Sequence, residues 1–378
     1  MTEATRRTEC TAGRTLYVAF ELSAGTWRLA VGTDQPDRPR HYTVPARDLG
    51  AVWEKLERAR THWQLPAATP VVSCYEAGRD GFWLHRALTA QGVRNLVLDA
   101  SSIERDRRAK VVKTDRLDAE RLLALLRLGC QGQKRLRAVR VPSVAEEDAR
   151  QRERELSGVQ AACTTVTNRI TSLLVAQGIR MTVRRDFAAQ VDQRRTGDGR
   201  PLPPALRARL LRDWQEVVAL RARVATLTAE RHQEVRTGTS AAAAQTRALV
   251  QLGGIGERSA AVFVTELFAW RAFRNRREVG AVTGLAPTPY QSGASARDQG
   301  ISKAGNWRVR TMAVEIAWGW LRFQPHSALA QWYQRRFGGG SGRQRRIGIV
   351  ALARKLLIAL WQYLEAGVIP EGARLKLA

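Results

Sequence analysis

Short apolar and β-branched runs, each bounded by a turn, dominate residues 16–100 of the chain. Residues 16–31 hold two such runs around a Ser-Ala-Gly turn, which predicts a β-hairpin. A run over 69–77 predicts a strand ending in Glu76, and DGFWLHRALTAQG after it predicts a helix that closes at Gly92. A further strand follows over 93–100. This order of elements predicts an α/β layer.

Residues 144–236 instead show apolar positions at helical spacing amid dense charge. Two long stretches of this kind are separated by TGDGRPLPP at 196–204, which is rich in turn residues. They predict two long helices in an antiparallel, coiled-coil-like hairpin. Such a hairpin is suited to act as an assembly surface.

A glycine-rich turn marks the more basic region that begins at about Gln245. LVQLGGIGERSAAVFVTEL (249–267) places GGIG between two apolar helical stretches. This is the sequence form of a helix-hairpin-helix, in which glycines such as Gly254 and Gly256 let backbone N–H groups approach a phosphate. The alternative is a plain tight turn between helices. The basic surroundings favour phosphate contact.

A glycine- and serine-rich loop, GLAPTPYQSGASARDQGISKAG (284–305), leads into a long helix that begins near Asn306. Long structured loops usually have a function. Lys303, Arg308 and Arg310 follow where they can neutralise a phosphate or a developing oxyanion. The tract over 335–355 adds flexible basic sequence and a closing helix. It predicts contact with the phosphate backbone of RNA or DNA. The alternative is that its charges serve only the solubility of the protein.

Charge narrows the class of partner. The 378 residues include 62 Lys or Arg against 35 Asp or Glu, a formal net charge of +27. Such a field selects polyanions, of which nucleic acid is the commonest. A membrane surface is the competing partner, but no run of about 18 apolar residues supports it.

The four cysteines lack CxxC spacing and residues 1–14 lack a signal core, so we expect reduced thiols, a disordered N-terminal arm and a cytoplasmic protein.

Acidic residues stand out against this positive background. Glu21 and Glu76 end predicted strands, and KTDRLDAERL (113–122) holds Asp115 and Asp118 on one face of a helix predicted from about Asp115. Alone, the aspartates fit the solvated first turn of an amphipathic helix. Together, acids on adjacent strand ends and a nearby helix have the arrangement of RNase-H-like nucleases. Clustered carboxylates repel one another, so they predict a compensating Mg²⁺ ion.

The order of motifs along residues 16–325 resembles that of a known family. The blocks are YVAFELS, VVSCYEAGRDGFWLHRAL, KTDRLDAERL, LGGIGERSAAVFVTEL and GLAPTPYQSGASARDQGISKAGNWRVR. In this order they resemble the DEDD transposases, insertion-sequence family one hundred and ten. The resemblance implies an α/β RNase-H-like (RuvC-like) domain, a long helical hairpin and a mainly α transposase domain. We therefore expect an arm (1–14), a RuvC-like domain (15–143), a coiled-coil hairpin (144–240) and a C-terminal transposase domain with the helix-hairpin-helix (241–378).

The resemblance also implies a chemistry. Such proteins are recombinases of insertion-sequence DNA, guided by an element-encoded RNA that pairs with donor and target DNA. The family's acidic tetrad falls on Glu21, Glu76, Asp115 and Asp118, and its nucleophilic serine falls on Ser292 in YQSG. The first acid of the family is usually Asp. Glu21 departs from this pattern, and its extra methylene moves the carboxylate that would bind the metal.

Ser292 also has a case from the residues alone. A serine hydroxyl becomes a useful nucleophile when a base or a cation-stabilised phosphate assists it. The neighbouring glycine allows a close approach to substrate, and Arg297 and Lys303 are candidate oxyanion partners. The alternative is an ordinary turn serine.

Three functions follow as hypotheses. The first is an RNA-guided transposase that cleaves and rejoins DNA through a covalent phosphoserine intermediate, with Mg²⁺ assisting. Strand exchange at two sites then implies a homodimer that becomes a tetramer on DNA. The second is a metal-dependent nuclease or junction resolvase in which Ser292 is structural. The third is a catalytically inactive copy that only binds nucleic acid.

Overall fold

The computed structural model describes residues 14–35, 38–99, 115–134, 136–292 and 295–376, with the backbone alone at 290–292 and 295–298. Residues 1–13 of the predicted arm, and Lys113 and Thr114 of the KTDRLDAERL block, lie outside the described residues. The chain divides into two compact units, Met1–Val141 and Pro142–Ala378. The predicted hairpin and the predicted C-terminal domain therefore lie in the same unit.

The first unit is built around a five-stranded sheet. Its strands are β1 (Leu16–Leu22), β2 (Thr26–Gly32), β3 (Arg40–Pro45), β4 (Val71–Glu76) and β5 (Arg94–Leu98), and its described helices are α1 (Leu49–His62), α2 (Trp83–Ala90) and α3 (Asp115–Cys130). The strand order is β3-β2-β1-β4-β5. β1, β4 and β5 are parallel, whereas β2 runs antiparallel to β1 and β3.

Both faces of this sheet are covered. Successive residues of its central strands point to opposite sides, so each strand contributes side chains to two cores. Val18 and Phe20 lie in a core with side chains of α1 and α2. Tyr17 and Ala19 lie in a second core that includes α3. The predicted α/β character is confirmed. The sequence pattern did not indicate α1 or the edge strand β3, in which only Val44 is fully buried.

The second unit is mostly helical. Its described helices are α4 (Val144–Val175), α5 (Phe187–Val191), α6 (Pro204–Thr237), α7 (Ala241–Val250), α8 (Glu257–Phe263), α9 (Arg276–Val282), α10 (Trp307–Phe323), α11 (Ala328–Tyr333) and α12 (Gly342–Ala366). π-helical turns continue α8 over Val264–Phe268 and α11 over Gln334–Gly338. Strands β6 (Pro287–Ser292) and β7 (Ser295–Ile301) form an antiparallel pair.

Helices α4 and α6 pack against each other in opposite directions. Arg169, late in α4, binds both carboxylate oxygens of Asp213, early in α6, at 3.0 and 2.8 Å. Glu155, early in α4, pairs with Arg223, later in α6. An apolar core that includes Ile170 of α4 lies between the two helices. Both long helices predicted for residues 144–236 are therefore present, and the short α5 lies in their connection.

Among the described helices, α12 alone is long and apolar enough to cross a membrane. Its Ile349, Leu352, Leu356 and Leu360 are buried in the C-terminal core together with Trp320 of α10. Their spacing of three and four residues places them on one face of the helix. Burial in this core accounts for the apolar character of α12.

Two segments depart from the expectation of loops. The predicted loop over 284–305 contains β6 and β7, and the basic tract predicted to be flexible after 335 is largely helical. Phe337 packs against Trp332 and Tyr333, with ring centroids 5.7 and 5.8 Å apart. A Cβ at Gly348 would overlap the Phe337 ring, so this glycine permits close packing. These contacts hold the chain in place between α11 and α12.

Candidate active site

Strand register places two of the predicted acidic residues side by side. β1 and β4 are parallel neighbours, and Phe20 pairs with Tyr75. Glu21 and Glu76 come next, at the carboxyl ends of strands whose backbones lie about 4.8 Å apart. Because residues alternate between the two faces, both glutamates belong to the face that α3 covers.

Helix α3 directs its first turn toward the same edge of the sheet. The Sγ of Cys74 in β4 lies 3.7 Å from the carbonyl oxygen of Leu122. Further along α3, the guanidinium of Arg127 lies against Gly32, at the end of β2 beside the start of β1. The helix therefore runs opposite to β1, and its first turn lies toward the carboxyl ends of β1 and β4.

Glu21, Glu76, Asp115 and Asp118 thus share one edge and one face of the sheet. Asp118 contacts Arg121 of the next turn at 3.5 Å. Within the part of the chain that the structure describes, no three His, Cys, Asp or Glu side chains are arranged to hold a metal ion. The elements that carry the predicted tetrad therefore meet at one edge and face of the sheet, but among the described residues their carboxylates are not arranged to hold a metal ion.

A further acidic residue, Asp99, follows β5 at the same edge. Leu96 and Leu98 belong to the core on the α3 side. Alternation along the strand therefore assigns Asp99 to the opposite face. The tetrad does not extend to this strand.

In the second unit, Ser292 lies at the tip of the antiparallel β6–β7 pair, which we call the serine arm (287–301). Ser292 pairs with Ser295 in the last register position of the pair. Arg297 pairs with Tyr290, two residues along the arm from Ser292. The structure therefore brings the predicted nucleophile and the predicted cation Arg297 onto one short arm at the level of the backbone.

The base of the serine arm is fixed to the segment before it. Backbone N–H groups donate from Ser302 to the carbonyl oxygen of Ala286 at 2.9 Å, from Lys303 to that of Gly284 at 3.0 Å, and from Asn306 to that of Val282 at 2.9 Å.

Nη1 of Arg310 donates to the carbonyl oxygens of Thr283 and Lys303 at 3.1 and 3.0 Å. Gly305 has φ +115°, and a Cβ there would overlap the Val282 carbonyl, so the close approach requires glycine. The arm projects from a braced base.

The predicted phosphate-binding cations beside this base differ in their surroundings. Lys303 is exposed and has φ +55°, a conformation that costs energy in a residue other than glycine. The guanidinium of Arg308 lies over the exposed Trp307 ring, 4.8 Å from its centroid. Arg310, through Nη1, stabilises the arm itself. Lys303 and Arg308 are thus the better placed of the three to meet a polyanion.

The GGIG turn joins α7 to α8. Gly254 has φ +88°, and Gly253 approaches Gln324 so closely that its carbonyl oxygen accepts a hydrogen bond from Nε2 at 3.0 Å. The N–H of Gly256 donates to Oγ of Ser259 at 3.2 Å. These contacts give the glycines a role in the turn itself. Phosphate contact at Gly254 and Gly256 stays a prediction.

Sequence reasoning did not single out Glu266, a polar residue close to the arm. Glu266 is 2% exposed, and its carboxylate binds Arg154 of α4 and the side chain of Asn306. A single carboxylate within the apolar stretch AAVFVTELFAW is the signal that points to it, because a buried charge requires a partner.

Comparison with known proteins identifies the class. Residues 246–332, which contain Glu266, the serine arm and Asn306, match the family model described as transposase of the IS116/IS110/IS902 family. The chain is 38% identical over 379 residues to the putative transposase y4rJ of Sinorhizobium fredii, covering 96% of this chain and 94% of that protein. It is 29% identical over 260 residues to a probable family 20 transposase of Pseudomonas aeruginosa, covering 67% and 73% of the two chains. A transposase for insertion sequence element IS1328 of Yersinia enterocolitica is 28% identical over 123 residues, covering 32% and 36%.

These relatives are named transposases, and the class is therefore that of enzymes that cleave and rejoin DNA. Within it, the chain belongs to the IS116/IS110/IS902 family of insertion-sequence transposases.

Proposed function

We propose that this transposase cleaves and rejoins DNA strands through a covalent linkage between Ser292 and a DNA phosphate. The observation that carries the proposal is the position of Ser292 at the tip of a braced arm, inside the region matched by the transposase family model. A serine at the tip of the arm can approach the DNA backbone while the hydrogen-bonded base fixes the orientation of the arm. A serine in an ordinary turn needs no such bracing.

The proposed chemistry has two transfer steps. In the first, the Oγ of Ser292 gives up its proton and attacks phosphorus, the Oγ–P bond forms, and the bond from phosphorus to one deoxyribose oxygen breaks as that oxygen takes up a proton. In the second, the hydroxyl of the new strand gives up its proton and attacks phosphorus, a new oxygen–phosphorus bond forms, and the Oγ–P bond breaks as Oγ takes up a proton and the serine is restored. The serine–phosphate linkage conserves the energy of the phosphodiester bond that was broken, so rejoining requires no ATP. Arg297 and Lys303 would offset the charge that develops on the phosphate oxygens.

The acidic edge supports a metal-dependent, RuvC-like N-terminal domain. Carboxylate oxygens are the donors that Mg²⁺ prefers, and four of them share one edge and face of the sheet. Glu21, Glu76, Asp115 and Asp118 would hold Mg²⁺, which would neutralise charge on a DNA phosphate. Like-charged carboxylates repel one another, and a bound cation would offset that repulsion. Glu21 reaches further than the Asp usual in the family.

Charge supports RNA guidance and DNA binding by one protein. Exposed arginines cluster around the start of α12, at Arg335, Arg336, Arg343, Arg345 and Arg346. Basic residues in the first turn of a helix oppose its dipole, so this cluster gains most when a polyanion binds it. We propose that the guide RNA encoded by the element, with donor and target DNA, occupies this basic surface in the bacterial cytoplasm.

Helices α4 and α6 support self-assembly as a coiled-coil hairpin. Val144, Val175 and Val218 are exposed on them, at 65%, 57% and 48% of their surface. Single exposed apolar side chains are common on protein surfaces. On this hairpin we propose that they contact another protomer. A dimer that becomes a tetramer on DNA would supply the active sites that two-strand exchange at two sites requires.

A cleavage assay tests the acidic edge. The double variant Asp115→Asn/Asp118→Asn keeps the shape of both side chains and removes the charge that would hold Mg²⁺, so cleavage of element-end DNA should be lost while the fold is retained. Glu54→Gln, which changes an exposed acid on α1, is the matched control. Cleavage unchanged in the double variant would remove the acidic edge from the mechanism.

A metal-dependent nuclease or junction resolvase is the second candidate. It is favoured by the acidic edge itself, which would suffice for hydrolysis by water without Ser292. Metal-dependent cutting without any protein–DNA linkage would establish it. A copy that binds nucleic acid and neither cuts nor forms the linkage would be inactive.

A further inference from the structure

Glu266 is a buried carboxylate with charged and hydrogen-bonding partners. It lies in the π-helical turn Val264–Phe268, between side chains of the C-terminal core, and is 2% exposed. Such turns are frequent at functional sites. Burying a carboxylate is costly unless charged and hydrogen-bonding partners compensate it. The partners of Glu266 therefore show what its burial achieves.

Arg154 of α4 supplies the first partner. Its Nε donates to Oε1 of Glu266 at 2.7 Å and its Nη2 to Oε2 at 3.0 Å, a bidentate pair. Burial alone would raise the pKa of Glu266, but the hydrogen bonds and charge of Arg154, with the amide of Asn306, hold it below its ordinary value. The carboxylate is thus ionised at neutral pH and fixed in orientation.

Asn306 supplies the second partner and connects Glu266 to the serine arm. Its Nδ2 donates to Oε2 of Glu266 at 3.0 Å. Its Oδ1 accepts from the backbone N–H groups of Arg308 and Val309, capping α10, and its own N–H bonds the carbonyl oxygen of Val282. One side chain thus joins the start of α10, the base of the arm and the buried carboxylate.

Helix α4 is itself held firmly near Arg154. Arg150, one turn earlier, lies over the ring of Trp270 at 4.9 Å. Glu153 is buried and contacts Arg231 of α6 at 3.6 Å. The chain of contacts therefore runs from the α4–α6 pair through Arg154 and Glu266 to Asn306 and the base of the arm.

We infer that Glu266 is a positioning residue for the serine arm, holding its base through Asn306 and tying that base to α4 through Arg154. The inference rests on the proposed function, because it takes Ser292 as the reacting residue. Six residues of β6 make a lever of about 17 Å, so a rotation of about 5° at the base moves the tip by about 1.5 Å. A displacement of about 1 Å can slow a reaction by about 100-fold.

Two variants test the link from different sides. Asn306→Ser keeps an oxygen that can cap α10 and removes the amide that reaches Glu266. Glu266→Gln keeps the shape of the side chain and removes its charge. Glu155→Gln is the matched control, because Glu155 is the neighbour of Arg154 on α4 and pairs with the exposed Arg223.

The readouts separate positioning from binding and folding. We expect both variants to form the covalent protein–DNA adduct about 10- to 100-fold more slowly in a single turnover, with DNA affinity within about 2-fold of wild type. We expect Asn306→Ser to speed amide hydrogen exchange over 282–306, and the control to match wild type in all three measurements. The double variant should be no slower than the slower single variant, because both changes break one chain of contacts.

The outcomes distinguish this inference from the proposed function. Wild-type adduct with unchanged rates in Asn306→Ser and Glu266→Gln would overturn the positioning role and leave Ser292 as the nucleophile. Rate losses that multiply in the double variant would also overturn it, because they indicate independent effects. A wild-type protein that cleaves DNA without any adduct would overturn the serine mechanism, and the inference with it.

Discussion

Phe20 pairs with Tyr75 across the parallel strands β1 and β4, and this pair sets Glu21 beside Glu76 at the carboxyl end of the sheet. Helix α3 crosses the same face and brings Asp115 and Asp118 to the same edge. The four residues belong to strands and a helix that are distant in sequence. Their convergence is a property of the fold rather than of any one motif.

The length of the first acid can be tested directly. Glu21→Asp introduces the acid that the resemblance to the DEDD transposases predicts at this position and shortens the side chain by one methylene, so we expect DNA cleavage in Mg²⁺ to be retained or raised. The rate of strand cleavage under single-turnover conditions is the measurement, with Glu54→Asp on α1 as a surface control. A complete loss of cleavage would contradict the expectation and indicate that the site is adapted to the longer acid.

Acid should weaken the contribution of Glu266 to stability. The pKa of Glu266 is lowered in the folded chain from its ordinary value of 4.5. Its ion pair therefore stabilises the fold fully at pH values above 4.5. That stabilisation is lost as the pH falls through the lowered pKa. The free energy of unfolding of wild type should therefore exceed that of Glu266→Gln near neutral pH, and the difference should shrink in acid. Denaturant titrations from pH 7 to pH 3 measure it, with Glu155→Gln as the control for net charge. A difference that grows in acid would contradict this account.

The basic surface should carry RNA with a steep dependence on salt. Each phosphate that Lys or Arg neutralises releases counterions, so affinity falls as salt is raised. We expect protein purified at low salt to carry one discrete RNA from its own element, identified by sequencing, and to lose it at high salt. Recovery of heterogeneous cellular RNA alone would contradict guidance and leave DNA binding intact.

Helices α4 and α6 should mediate self-association. Val175→Glu/Val218→Glu places charge on two exposed apolar positions, so a wild-type dimer should become monomeric, as measured by light scattering after gel filtration. Thr164→Glu, at an exposed polar position of α4, should leave the dimer intact. A wild-type protein that is monomeric with and without nucleic acid would refute the proposed assembly.

Local elements follow from the sequence where periodicity is strong. The leucines after Asp115 set α3, and the β-branched run before Glu76 sets β4. β3 escapes prediction because an edge strand buries little, and the serine arm escapes it because Pro287, Pro289 and the glycines are typical of loops. Pairing between the two halves of the arm overrides that local preference.

The site residues divide in the same way. The acids and the serine can be named from motifs. The apolar stretch AAVFVTELFAW marks Glu266 as a buried charge, but it does not indicate which residues Glu266 contacts. Its partners Arg154 and Asn306 lie 112 and 40 positions away. Only the folded chain brings these polar groups together, and a hydrophobic pattern carries no information about such distant contacts.

The serine linkage is the central claim, and one measurement tests it most directly. Labelled element-end DNA is incubated with wild type, Ser292→Ala and Ser295→Ala, and the protein–DNA adduct that survives denaturation is quantified and mapped by peptide mass spectrometry. We expect wild type and Ser295→Ala to form the adduct, with the phosphate on Ser292. Ser292→Ala should bind DNA and form none, because the attacking oxygen is absent. An undiminished adduct in Ser292→Ala would contradict the account and move the nucleophile elsewhere, with Ser295 and Ser302 the nearest serines.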